Sequence, residues 1–86
     1  MDVRKNYVKL VEEKAIDYRW ELSNHVVDVM VSLLMTRDEV WVGGDFVQSV
    51  ISNNLGNAVR RADDEIVKYL KHMVIARDNF YLDGRL

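Results

Sequence analysis

Apolar side chains at Val3, Tyr7, Leu10, Val11, Tyr18 and Leu22 recur at the spacing of one helical stripe, while Arg4, Lys5, Glu12, Glu13 and Asp17 occupy the other face. That pattern predicts an amphipathic helix with a solvated outer surface. From Val26 to Met35 the pattern changes. Val26, Val27, Val29, Met30, Val31, Leu33 and Leu34 leave only Asp28 and Ser32, four residues apart, as a narrow polar side. A helix that is apolar nearly all round has to be buried, by its own domain or by a partner chain. Ser23-Asn24 suits a helix cap, but no glutamate stands three positions after Ser23 to complete a capping box. The pattern predicts one long helix, straight or bent, from about Val3 to Met35.

The stretch TRDEVWVGG then breaks the periodicity. Gly43 and Gly44 give the backbone freedom for a sharp turn, and Asp45 is placed to cap a short helix over FVQSVIS. SNNLGN ends that helix, with Gly56 or Asn54 expected in the left-handed C-cap conformation and Asn57 capping the next helix. Ala58, Ala62, Ile66, Tyr69, Leu70, Met73 and Phe80 mark a long final helix. The expected fold is all-α: a single helical domain over residues 1–86, built as a small bundle of a long, a short and a long helix.

Composition adds limits. A chain of 86 residues with no cysteine has no disulfide to hold it, and so small a domain gains stability by association, so a homo-oligomer is expected. The apolar run from Val26 to Met35 supplies the surface for that association. The absence of proline favours uninterrupted helices. With 12 basic and 14 acidic residues and no basic stripe, duplex DNA is not an expected partner. The first ten residues lack the apolar core of a signal peptide, and Val26–Met35 is far shorter than the ~20 residues of a membrane helix. A soluble protein of a reducing cytoplasm is expected, with no membrane partner. His25 and His72 have no metal-like spacing to other ligands, and no serine lies in a nucleophile elbow. The chain is therefore not expected to be an enzyme, and nothing in it implies a metal or a cofactor.

The candidate chemistry gathers between Trp41 and Glu65. The tetrad Gly43-Gly44-Asp45-Phe46 matches the letters of a cyclic-dinucleotide cyclase signature, but those domains need a much longer α/β fold, and a helix start is the better reading. Backbone N–H groups at such a start either attract an anion or are taken by Asp45 itself. Arg60 and Arg61, placed in the first turns of the last helix, oppose its dipole, which points to an anionic ligand or to pairing with Asp63. The bland alternative is pairing of Arg60 with Asp64 and of Arg61 with Glu65 along the helix. Trp41 lies in the loop before the glycines, where an aromatic side chain is free to meet a ligand. The candidate ligand-binding residues are Trp41, Gly44, Phe46, Asn53, Asn54, Arg60, Arg61 and Asp63.

Gly44, Phe46, Val50, Asn53, Leu55, Ala58, Arg61, Ala62 and Asp63 stand at unbroken spacing on a pattern Gly-x-Phe, Val, Asn-Asp-Leu, Ala, Arg-Ala-Asp. In this the segment resembles a family of short phage and prophage proteins, mostly of unassigned function. Asn54 stands where the family has aspartate, and Ile66 where asparagine is frequent. The resemblance implies a phage-encoded protein made in a bacterial cytoplasm and supplies no activity. Two roles are expected for Asn53, Arg61 and Asp63: a buried hydrogen-bond network locking the short helix onto the long one, or contacts to a ligand at a subunit boundary. The leading functional expectation is a non-enzymatic binding protein that sequesters a small nucleotide signal of host antiviral defence, such as a cyclic dinucleotide. The alternatives are an adaptor that binds a host enzyme through Val26–Met35, and a virion or packaging component.

Overall fold

The computed structural model describes residues 3–82, and among these every regular element is a helix. The elements are α1 (Val3–Tyr18), α2 (Asn24–Arg37), α3 (Asp45–Ile51), α4 (Leu55–Arg61), α5 (Asp64–Lys68) and α6 (Leu70–Asn79). The all-α class is as expected. The layout is not: both helices expected to be long are broken.

The first break falls at Arg19, whose φ of 59° reverses the helical path. The Trp20 N–H donates to the Ala15 carbonyl and the Arg19 N–H to the Ile16 carbonyl, which satisfies the end of α1. Ser23 then starts α2, its hydroxyl accepting from the Val26 N–H at 3.2 Å without help from a capping box. The final helix breaks twice. Ala62 is extended, and Asp63 restarts the helix by accepting the Ile66 N–H at 2.8 Å. Tyr69, at φ −105° and ψ 13°, separates α5 from α6.

Most of the predicted inner faces survive these breaks, but Val3 and Tyr18, expected on the buried stripe of the first helix, are exposed near its two ends. Tyr7, Leu10 and Val11 are buried from α1, Ala58 from α4, Ile66 from α5, Met73 and Ala76 from α6, with Phe80 just beyond. α2 is the hub: Val26, Met30, Val31, Leu33, Leu34 and Met35 are buried, and the helix packs against α1, α3 and α6. The apolar run is thus largely covered by its own chain, with Val27 and Val29 half-buried. It offers neither the association surface nor the adaptor surface expected of it. Asp28, on the narrow polar side, is exposed and pairs with Arg4 at 2.8 Å.

Two arginines fasten α6. Arg37, at the end of α2, forms a two-pronged pair with Asp38 at 2.8 and 3.0 Å and donates to the Arg77 carbonyl at 3.0 Å. Asp38 also accepts from the Tyr7 hydroxyl at 2.8 Å, so α1, α2 and α6 meet at one polar cluster. Arg77 reaches the other way, donating to the Val50 carbonyl at 2.7 Å and to Asn53 Oδ1 at 3.0 Å beyond the end of α3.

Candidate functional site

The loop between α2 and α3 is held at both ends. α2 ends as α1 does: Glu39 has φ 65°, its N–H donates to the Thr36 carbonyl, and the Val40 N–H donates to the Met35 carbonyl. At the far end the Thr36 hydroxyl accepts the Gly43 N–H at 2.9 Å, and the Gln48 side chain donates to the Gly43 carbonyl. Gly43 is needed for closeness: a Cβ there would lie 2.8 Å from Val47 Cγ1 and 2.9 Å from the Thr36 hydroxyl oxygen. Between these anchors Val40, Trp41 and Val42 are 50%, 56% and 80% exposed. Trp41 closes one side of a groove of about 330 Å³ shared with Arg4, Asp28, Ser32 and Met35.

The other residues expected at a ligand site are dispersed over helix ends. Gly44 is the N-cap of α3, so Asp45 is its first residue and not its cap. Phe46 is half-buried against the core. Asn53, and not Gly56 or Asn54, takes the left-handed position after α3, with φ 61°. Asn54 caps α4, its side-chain oxygen accepting the Asn57 N–H at 3.2 Å. Arg60 is exposed in the last turn of α4. Arg61 donates to Asp45 across to α3 at 3.1 Å, with both side chains more than half exposed. Asp63 caps α5 and lies 2.8 Å from His25 Nε2 on α2. The Ile66 N–H and His25 together hold the Asp63 carboxyl below its ordinary value.

These positions correct three expectations. Asn53, Arg61 and Asp63 do not form one buried network: they are three separate, exposed ties, to α6, α3 and α2 respectively. Arg60 and Arg61 end a helix instead of starting one, so the dipole favours them there. The pairing of Arg60 with Asp64 and Arg61 with Glu65 along one helix is ruled out by the extended Ala62 between them.

A second surface was not foreseen. Trp20 stands at the α1–α2 connection with its ring 4.6 Å from His72, 4.8 Å from Tyr18 and 5.6 Å from Phe80. Tyr69 lies 4.9 Å from His72 and donates its hydroxyl to the Glu21 carbonyl at 2.9 Å. Arg19, Trp20, Glu21, Lys68, Tyr69 and His72 line an open groove of about 500 Å³. His72 Nδ1 is buried without a hydrogen bond, and burial, with Lys71 adding to it, pushes the imidazole pKa down. The spacing of Tyr69 and His72 was visible in the sequence, but the bend that brings Trp20 to them was not.

Among the described residues no cluster of three or more His, Asp or Glu side chains could hold a metal, and no helix is long and apolar enough to cross a membrane. No family model, no curated protein and no solved structure matches the chain.

Proposed function

We propose that the chain is a non-enzymatic binding protein that engages a partner protein through the loop Val40-Trp41-Val42. The observation that carries this reading is that three consecutive apolar side chains stand exposed on a loop pinned by its own hydrogen bonds. An apolar loop that is already ordered loses little conformational entropy on docking, and tryptophan is the residue type that most often dominates such contacts. The groove beside Trp41, lined by the apolar Met35 and by Arg4, Asp28 and Ser32, supports a partner that presents an apolar side chain together with polar ones. The host-enzyme adaptor role thus moves from Val26–Met35 to this loop. The test is capture from host lysate by wild type and by the variants Trp41→Ala and Val42→Asp. One stoichiometric partner should be retained by wild type and lost by both variants, whose melting temperatures stay within a few degrees of wild type. Equal recovery by all three proteins overturns the reading.

Sequestration of a small nucleotide by a phage-encoded homo-oligomer in the host cytoplasm is the second reading. It is favoured by Arg60 and Arg61, two exposed arginines in the last turn of α4. Arg61 is already paired with Asp45, so a phosphate site here needs a second copy of the chain to supply further donors. Light scattering that finds only monomer at micromolar concentration, or calorimetry that finds no heat with cyclic and linear nucleotides, removes it. Detection of the chain in purified particles by mass spectrometry would point instead to a virion component.

A further inference from the structure

We propose that the groove between the α1–α2 connection and the α5–α6 helices binds a planar aromatic ring carrying an anionic group, a base with its phosphate being the matching chemistry. The groove lies at the N-terminal end of α2, whereas the Val40–Val42 loop lies at its C-terminal end, about 20 Å away along a helix of 14 residues. It is therefore independent of the loop contact. Neither does it use Arg60 or Arg61.

The walls are aromatic and already set. Trp20 is braced by Tyr18 and Phe80, and His72 meets its ring edge-on at an interplanar angle of 64°. Tyr69 is tied by its hydroxyl to the Glu21 carbonyl. A base stacking on such rings finds its platform in place, and stacking is tolerant of base identity. The rim is cationic on balance: Arg19 and Lys68 outnumber Glu21, and Lys71 stands next to His72. No ion pair among the described residues engages Arg19 or Lys68, so both charges face solvent at the groove's mouth. A volume of about 500 Å³ lies in the range that holds a single small ligand.

His72 adds a second argument. Its buried Nδ1 has no partner, a cost that an apolar side chain at the same place would not carry. Stability alone does not account for a histidine packed between Trp20 and Tyr69.

The experiment uses Trp41→Phe as background, so that Trp20 is the one remaining tryptophan fluorophore. Adenosine 5′-monophosphate should quench it saturably, with adenosine and inorganic phosphate each binding at least five-fold more weakly. Arg19→Gly relaxes the backbone while removing the cation. Combined with Lys68→Ala it should weaken the nucleotide at least ten-fold while leaving the melting temperature unchanged or higher. A single-stranded oligoadenylate run in parallel distinguishes a free nucleotide from a strand as the source, and saturable binding of either supports the groove. No saturable quench by nucleotide or strand up to millimolar concentration overturns the proposal, as does equal affinity for adenosine or an unchanged affinity in the double variant. Because the groove shares no residue with the Val40–Val42 loop or with α4, a negative result here leaves those readings standing.

Discussion

The cluster of Tyr7, Arg37 and Asp38 should be the most sensitive polar point of the fold. Tyr7 is 1% exposed, and the Asp38 and Arg37 side chains are 4% and 13% exposed. Tyr7→Phe keeps the ring and removes only the hydroxyl that donates to Asp38 at 2.8 Å. A hydrogen bond to a charged acceptor in such a place contributes about 1.5–3 kcal/mol. Asp38→Ala does more, because it leaves the Arg37 guanidinium facing the Arg77 carbonyl with its carboxylate gone, and breaking a buried pair costs about 3–5 kcal/mol. At roughly 0.05–0.15 kcal/mol per residue the whole chain has about 4–13 kcal/mol to lose. Tyr7→Phe should therefore lower the melting temperature by roughly 6–24 °C, and Asp38→Ala should remove about a quarter or more of the total stability.

Urea unfolding followed by circular dichroism measures both, with Arg4→Ala as the control. The Arg4–Asp28 pair has the same 2.8 Å length but side chains 45% and 65% exposed, and a pair so solvated contributes about 0–1 kcal/mol. The Tyr7→Phe/Asp38→Ala double variant should be little worse than Asp38→Ala alone, since the hydroxyl has then lost this acceptor. A Tyr7→Phe effect below about 0.5 kcal/mol, or one equal to that of Arg4→Ala, would refute the reasoning that burial and not distance sets the strength of these contacts.

Gly43→Ala should cost about 1–3 kcal/mol by overpacking against Val47 and Thr36, while Gly44→Ala, with nothing within 4 Å of the new methyl, should stay within about 0.5 kcal/mol in the same urea titration. Glu39→Gly should raise stability by about 0.5–1 kcal/mol, because it relieves a left-handed non-glycine residue at an exposed helix end; a melting temperature below wild type would contradict that. His72 has its folded-state pKa pushed below 6.5, so its neutral form contributes stability that is whole above 6.5 and is lost as the pH falls from 6.5 towards the folded value. Asp63 and Asp78 add a second loss, starting only below 3.8, since their folded values are lowered from there. Melting temperatures across this range should show the upper step vanish in His72→Leu while the lower one remains.

The hydrophobic pattern specified most of the inward face: Tyr7, Leu10, Val11, Ala58, Ile66, Met73 and Phe80 are buried as expected, while Val3 and Tyr18, on the same expected stripe, are exposed. Continuity was a different matter. A stripe of apolar residues at steps of three and four continues across a helix break whenever the two pieces bury the same side, as Ala58, Ile66 and Met73 do from three separate helices. The sequence signal for a helix end is glycine, and α1, α2 and α3 end on Arg19, Glu39 and Asn53 in left-handed conformation instead. Asparagine favours that conformation, so the end of α3 was legible to within one residue, but arginine and glutamate do not, and no local propensity announces Arg19 or Glu39. The same breaks hid the aromatic groove, because Trp20 reaches His72 only after the chain has turned at Arg19.

One residue decides the roles of Arg60 and Arg61. With Ala62 helical, the two arginines would begin a long helix against its dipole, and an anionic partner would be needed to account for them. With Ala62 extended, at ψ 147°, they end a short helix, where the dipole welcomes them, and Asp63 becomes the cap of the next. Arg61 is then free to cross to Asp45, and Asp63 to His25. Each polar residue of the segment from Trp41 to Glu65 that resembled ligand chemistry thus has a demand made on it by a helix end: Asn53 by the end of α3, Asn54 by the start of α4, Asp63 by the start of α5. Helix ends therefore account for Gly44, Asn53, Asn54 and Asp63 without a ligand. A functional residue on this chain is better sought where a side chain carries a cost the fold does not need, and Trp41 and His72 are positions that meet that test.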